Sequence, residues 1–223
     1  MSNSKKKIIL ITGASRGFGF QAALKLAKKG VHLIITARTL GALEDLSDKV
    51  LAAGSTVTVA PLDLCREKDF QIVARTIYEK FGGIDILVHS ASSAIPMTPI
   101  ETIQKNEIVN FFNNTIITQR VIQMIDPLLK KNANCLALFI QDNNRYRNKK
   151  FLGIYNATRT ASREIIAAYA AERKRLSPTV LTFDPKPMPT KIRATLFPGE
   201  DKVKLSSCEI EAEKMVKFIS SFL

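Results

Sequence analysis

The chain has 223 residues, 46% hydrophobic and 24% charged, and 33 Lys and Arg against 20 Asp and Glu give a net charge of +13. That length suits one full core and is short for two ordinary domains, and the composition excludes a disordered chain. No apolar run approaches the roughly 18 residues of a membrane span, and the basic residues are spread as pairs (Lys28-Lys29, Lys130-Lys131, Lys149-Lys150), so neither a membrane nor nucleic acid is expected as the main partner.

Residues 1–6 form a polar, basic tail without the apolar stretch or cleavage site of a signal peptide. Cys65, Cys135 and Cys208 are odd in number and lack metal-ligand spacing. Reduced thiols, a cytoplasmic location and no metal site are therefore expected.

Lys7 to Thr12 reads as a buried strand, followed by a Gly-rich turn and a helix with Phe20, Ala23, Leu24 and Ala27 on one face. Val31 to Thr36 is a second strand, and Leu40 to Ala52 a helix ended by Gly54-Ser55. A third strand, Thr56 to Leu62, precedes a helix from Glu67 to Phe81, closed by Gly82-Gly83, and a fourth strand from Ile84 to His89. A long helix is expected over Glu101 to Lys131, with Val109, Phe112, Ile116, Val121, Ile125 and Leu128 on its apolar stripe. Pro127 should kink it or split off its last turn. Cys135 to Gln141 is a fifth strand, Gly153 to Arg175 a helix, Thr179 to Phe183 a sixth strand and Glu209 to Phe222 a terminal helix. Regular strand–helix alternation implies one α/β domain over residues 1–223, a parallel sheet of about six strands with helices on both faces.

Between the first strand and the first helix lies Thr12-Gly13-Ala14-Ser15-Arg16-Gly17-Phe18-Gly19. A helix N-terminus presents unpaired N–H groups and partial positive charge, which suits a pyrophosphate. Gly13 can turn tightly, while Gly17 and Gly19 leave room for a dinucleotide and for helix packing. The position of the loop, after a strand and opening a helix, makes it a dinucleotide-binding signal. The second strand ends in Thr36-Ala37-Arg38, without the acid that would meet a ribose 2′-hydroxyl. Arg16 and Arg38 together favour a 2′-phosphate, so NADP(H) is expected in preference to NAD(H).

With these residues the sequence resembles the short-chain dehydrogenase/reductase family over nearly its whole length, which implies a Rossmann-type doubly wound fold. Thr12 to Gly19 matches the family's T-G-x-x-x-G-x-G loop. By the same resemblance, Asp63-Leu64 holds the adenine, and Ser90-Ala91-Ser92 stands where the family usually has Asn-Ala-Gly. Asn114, thirteen residues before Pro127, falls at the family's catalytic Asn, and Tyr155 begins the Y-x-x-x-basic pattern that ends at Arg159. Pro185 to Thr190 is similar to the segment whose Thr contacts the nicotinamide amide, with Lys186 in place of a Gly.

The family's chemistry is hydride transfer between a nicotinamide and a carbonyl or alcohol. Its Tyr is the general acid and base, a Ser polarises the carbonyl, a Lys lowers the Tyr pKa, and the Asn orders a relay water. Residues four apart on a helix are neighbours, so a cation at the fourth position sits beside the phenol and favours phenolate. Two positions depart from that pattern: the Lys is Arg159, and the Ser, thirteen residues before the Tyr, is Asp142, or Gln141 if the register slips by one. A carboxylate only accepts hydrogen bonds where a carbonyl needs a donor, a loss of about 10²–10³ in rate. An Asp142–Arg159 ion pair would relieve the clash of charges.

Three readings follow: an NADP(H)-dependent oxidoreductase with a degenerate site acting on a carbonyl or alcohol, a non-catalytic NADP(H)-binding sensor or scaffold, and a basic protein serving nucleic acid or a membrane surface. The intact loop favours the first two. An edge strand usual in the family is absent from the pattern, so a homodimer through the long helix and the Tyr155 helix is expected.

Overall fold

A computed structural model describes residues 6–93, 95–129, 135–142 and 148–222. Six strands alternate with helices in chain order: β1 (Lys7–Thr12), α1 (Gly17–Leu26), β2 (Val31–Ala37), α2 (Leu40–Ala52), β3 (Thr56–Pro61), α3 (Glu67–Phe81) and β4 (Ile86–His89) form the first half. The second half contains α4 (Lys105–Phe111), α5 (Asn113–Ile125), β5 (Leu136–Ile140), α6 (Gly153–Glu172), β6 (Thr179–Phe183), α7 (Lys191–Leu196) and α8 (Cys208–Ser220). All the strands pair in parallel in the order β3-β2-β1-β4-β5-β6, the doubly wound arrangement in which chain direction across the sheet reverses beside β1.

The alternation of side chains along β1 sorts the core into two layers. Ile9 and Ile11 pack with Leu33 and Ile35 of β2 against α1, α2 and α8, through Phe18, Leu43, Leu46 and Met215. Ile8 and Leu10 face the other way, onto α3, α5 and α6, through Phe70, Val121, Ile125 and Ile166. A strand buried on both faces must be apolar throughout, which accounts for the continuous run in Lys7-Ile-Ile-Leu-Ile-Thr12.

The long helix expected from Glu101 is not continuous. A 3-10 turn at Ile100–Thr102 precedes α4, a break at Phe112 separates α4 from α5, and a second 3-10 turn covers Asp126–Leu128. Pro127 sits at the start of that last turn, where its missing N–H costs nothing, and it splits the turn off as expected. Of the expected apolar stripe, Val121, Ile125 and Leu128 are buried, whereas Val109 and Ile116 are exposed. Lys130 and Lys131, the expected end of that helix, and Met1 to Lys5 of the tail lie outside the described residues. The fourth strand starts at Ile86 rather than Ile84, which makes an isolated parallel bridge to Leu129. The helix carrying Tyr155 ends at Glu172 rather than Arg175, because Arg175 takes a left-handed conformation (φ +70°) that stops it.

Candidate functional site

The carboxyl ends of the strands open into a cleft of about 630 Å³, a volume suited to a cofactor-sized ligand. Every sequence-derived candidate except Asn114 lines it: Gly13, Ser15, Arg16, Gly17, Phe18, Gly19, Arg38, Asp63, Leu64, Ser90, Ala91, Asp142, Tyr155, Arg159 and Thr190.

At the phosphate loop the backbone approaches as closely as chains can. Gly13 has φ +71°, and a Cβ there would lie 2.7 Å from the Ala91 Cα. A Cβ on Gly19 would lie 2.3 Å from the Gly13 carbonyl oxygen, so the loop folds over the start of α1 only with glycine at both positions. The Ala14 N–H donates to the Thr36 carbonyl at 3.2 Å and the Ser90 N–H to the Thr12 carbonyl at 3.3 Å, tying the loop to β2 and β4. Arg16 precedes α1 in an extended conformation, its side chain makes no cap, and no acid stands in the first turn. No side chain caps this ten-residue helix, and such a terminus favours an anionic partner. Thr36, at the end of β2, is buried, and its Oγ1 has no hydrogen-bond partner among the described residues. Arg16 and Arg38 are exposed, and both line the cleft. A cradle that a Cβ would fill, a helix terminus without a side-chain cap and two guanidinium groups fit the phosphates of NADP(H).

After β3, the Asp63 carboxylate accepts from the Cys65 N–H at 3.0 Å, forming a local turn. Arg120 of α5 donates to the carbonyls of Leu64 (3.0 Å) and Cys65 (2.7 Å) and fixes the loop from outside. Cys65, Cys135 and Cys208 are free thiols, and desolvation by burial, with Asp63 nearby, pushes the Cys65 thiol pKa up, away from a reactive thiolate.

At the other end, β5 delivers Asp142 and α6 delivers Tyr155 and Arg159. The expected pair is present: Arg159 Nε donates to Asp142 Oδ1 at 3.0 Å, with both side chains largely buried. The Tyr155 hydroxyl donates to the other carboxylate oxygen, Asp142 Oδ2. Gln141, the alternative register, is buried, with its Oε1 3.4 Å from Arg159, so Asp142 is the group beside the phenol. Behind them His89 is fully buried and shares a 2.8 Å hydrogen bond with the Thr12 hydroxyl. Desolvation, and then the Arg159 charge, hold its pKa down to about 3, so it stays a neutral imidazole.

Asn114 is buried in α5 and clamps a loop. Its Oδ1 accepts from the Ser93 N–H at 2.8 Å and its Nδ2 donates to the Ser93 carbonyl at 3.1 Å. Ser93 also lines the cleft, and no sequence pattern marks it, because the contact spans 21 residues of loop and helix.

The roof is the segment after β6. Thr190 accepts from the Arg193 N–H at 3.2 Å and so caps α7, a short helix that the sequence pattern does not predict. The Thr190 Cγ2 lies 3.4 Å from where a Gly17 Cβ would be, which brings this segment across the phosphate loop. Leu196 of α7 packs with Ile95, Leu152 and Tyr155, and Ile192 and Phe197 join them, giving an apolar wall beside the phenol. The Lys186 side chain is exposed, while its N–H donates to Glu211 Oε2 at 3.0 Å. Burial would raise the Glu211 pKa, but Lys214, the Lys186 N–H and the Ser206 hydroxyl outweigh it and hold the carboxyl below its ordinary range. That ionised group anchors the roof to α8.

Comparison with known proteins places this geometry. The short chain dehydrogenase family model matches residues 7–201. Hydroxysteroid dehydrogenase-like protein 2 of Mus musculus is 35% identical over 131 residues, which cover 56% of this chain and 27% of that protein. The chain thus spans only about a quarter of that relative's length. Among solved structures, an alcohol dehydrogenase from the archaeon Thermococcus sibiricus complexed with 5-hydroxy-NADP superimposes with TM-score 0.83 at 24% identity, covering 96% of this chain and 91% of that one. A metagenomic short-chain oxidoreductase in complex with NADP gives TM-score 0.81 at 19% identity, covering 98% and 92%. These structural likenesses are to the fold. No helix among the described residues is long and apolar enough to cross a membrane.

Proposed function

This chain belongs to the short chain dehydrogenase family, and from that premise we propose that it is an NADP(H)-dependent oxidoreductase whose reacting end has been rebuilt around Asp142, Tyr155 and Arg159. The observation that carries the reading is the phosphate loop, a glycine cradle at an uncapped helix terminus with Arg16 and Arg38 beside it. Two structural neighbours were solved with NADP or a derivative of it, which supports the same cofactor here.

In this reading the α1 terminus and Gly13 to Gly19 hold the pyrophosphate, Arg16 and Arg38 the 2′-phosphate, Asp63 and Leu64 the adenine, and Ser90, Ala91 and Thr190 the nicotinamide half. The bound nicotinamide supplies or accepts a hydride. Tyr155 faces the substrate, Asp142 holds the Tyr155 proton and the Arg159 charge, and Asn114 keeps the Ser93 loop in place. Ile192 and Leu196 exclude water from the reacting side. A reducing, cytoplasmic setting and a homodimer through α5 and α6 complete the proposal. Exposed Val109 and Ile116 on α4 and α5 support the dimer.

The test is NADPH consumption across a panel of small carbonyl compounds, with Tyr155→Phe as the control. Consumption that depends on both a substrate and Tyr155 is expected. A second reading, an NADP(H)-binding protein without turnover, is favoured by the commitment of the Tyr155 proton and both Asp142 oxygens to one another and to Arg159. It predicts tight NADPH binding with no consumption, and activity gained only when Asp142→Ser and Arg159→Lys are combined.

A further inference from the structure

We propose that the reacting end of the cleft is shaped for a protonated carbon–nitrogen double bond, an iminium such as a cyclic imine forms, rather than for a ketone. The inference rests on the reading above and sharpens its substrate class.

The argument is one of hydrogen-bond polarity. A ketone oxygen only accepts, so it needs a donor in front of it. Here the Tyr155 proton points to Asp142 Oδ2, and Asp142 is the residue beside the phenol where a donor would stand. Arg159 spends Nε on Asp142 Oδ1 and turns Nη2 toward Ile140 and Gln141. A carboxylate has about four lone-pair positions, and among the described residues Tyr155 and Arg159 take two of them. With its proton turned to Asp142, the phenol offers that proton to the carboxylate rather than to a ligand. Asp142 keeps partial exposure to the cleft, with 23% of its side chain accessible. A ligand meeting this pair therefore meets a charged acceptor rather than a donor.

An iminium N–H⁺ complements that pair. It donates to Asp142 through a charge-assisted bond, and the carboxylate stabilises the protonated, electrophilic form. The balance is complete without a proton relay. The imine takes its proton from solvent before binding. Its carbon then gains a hydride from the dihydronicotinamide, which is oxidised, and the C=N π pair becomes the nitrogen lone pair of a neutral amine. That amine is protonated by solvent on release. Ile192 and Leu196, which line the cleft, form an apolar wall for a flat ring beside the charged spot.

The test uses dihydroisoquinoline and the ketone α-tetralone as substrates, and tetrahydroisoquinolinium as a product-side ligand. NADPH affinity of the wild type is measured first. Turnover follows, and then calorimetric binding of the ammonium to protein saturated with NADP⁺. Expected is a kcat/KM for the imine at least about 10²-fold above that for the ketone. Asp142→Ser should weaken ammonium binding about tenfold or more and shift preference toward the ketone, with NADPH affinity unchanged. Asp142→Asn, nearly isosteric, guards against a misfolded Ser variant and must lose the same binding. Ketone preference in the wild type, or ammonium binding indifferent to both variants, overturns the inference while NADPH binding leaves the broader reading standing. Failure of the wild type to bind NADPH overturns both.

Discussion

Neutralising Asp142 should cost stability as well as alter chemistry, and the pair's geometry sets how much. At 3.0 Å and an effective dielectric of about 20, the Coulomb attraction between the charges is about 5 kcal/mol before desolvation. Losing one partner of a buried pair costs about 3–5 kcal/mol, because the other charge is left uncompensated. The side chains remain 13% and 23% accessible, so water screens part of this, and about 2–3 kcal/mol is the figure expected for Asp142→Asn. For a domain of this size that is roughly 5–10 °C in melting temperature. The assay is a double-mutant cycle with Asp142→Asn, Arg159→Met and the double variant, followed by thermal and urea unfolding. The double variant should lose clearly less than the sum, with a coupling of about 2 kcal/mol. Strict additivity, within about 0.5 kcal/mol, would refute the pairing.

Three further outcomes are expected. Replacing Arg16 and Arg38 by Ala should weaken NADPH about tenfold for each exposed guanidinium while leaving NADH affinity unchanged, as titration of each cofactor will show. Gly13→Ala should lose about 3 kcal/mol from the left-handed backbone and the clash with Ala91, and dinucleotide binding with it. His89, neutral in the fold with its pKa down to about 3 against an ordinary 6.5, takes up a proton on unfolding at any pH between those values. Stability is then full above pH 6.5 and falls as pH drops toward 3. Melting temperatures of His89→Gln across that range should fall less steeply than those of the wild type.

Much of the sheet and of the cleft is legible in the amino-acid sequence. Strand–helix alternation and the apolar runs of β1, β2 and β5 carry the sheet, because a strand covered on both faces has no polar positions to mask its pattern. The contact of Asp142 with Arg159 is legible because the family resemblance brings the two positions together and their charges are opposite. The break at Phe112 is not legible, because no glycine or proline marks it and the residues on both sides fit a helical pattern. Helix α7 is only six residues long, too short for periodicity, and its signal is the capping Thr190 alone. The Glu211 anchor joins α8 to a backbone N–H 25 residues earlier, a contact that leaves no pattern in the sequence.

The most direct measurement is parallel titration of the purified protein with NADPH and NADH, followed by nicotinamide fluorescence. Saturable NADPH binding, with NADH at least about tenfold weaker, is the result that the glycine cradle with Arg16 and Arg38 predicts. Equal affinity for the two would contradict the 2′-phosphate assignment, and binding of neither would contradict the dinucleotide site itself.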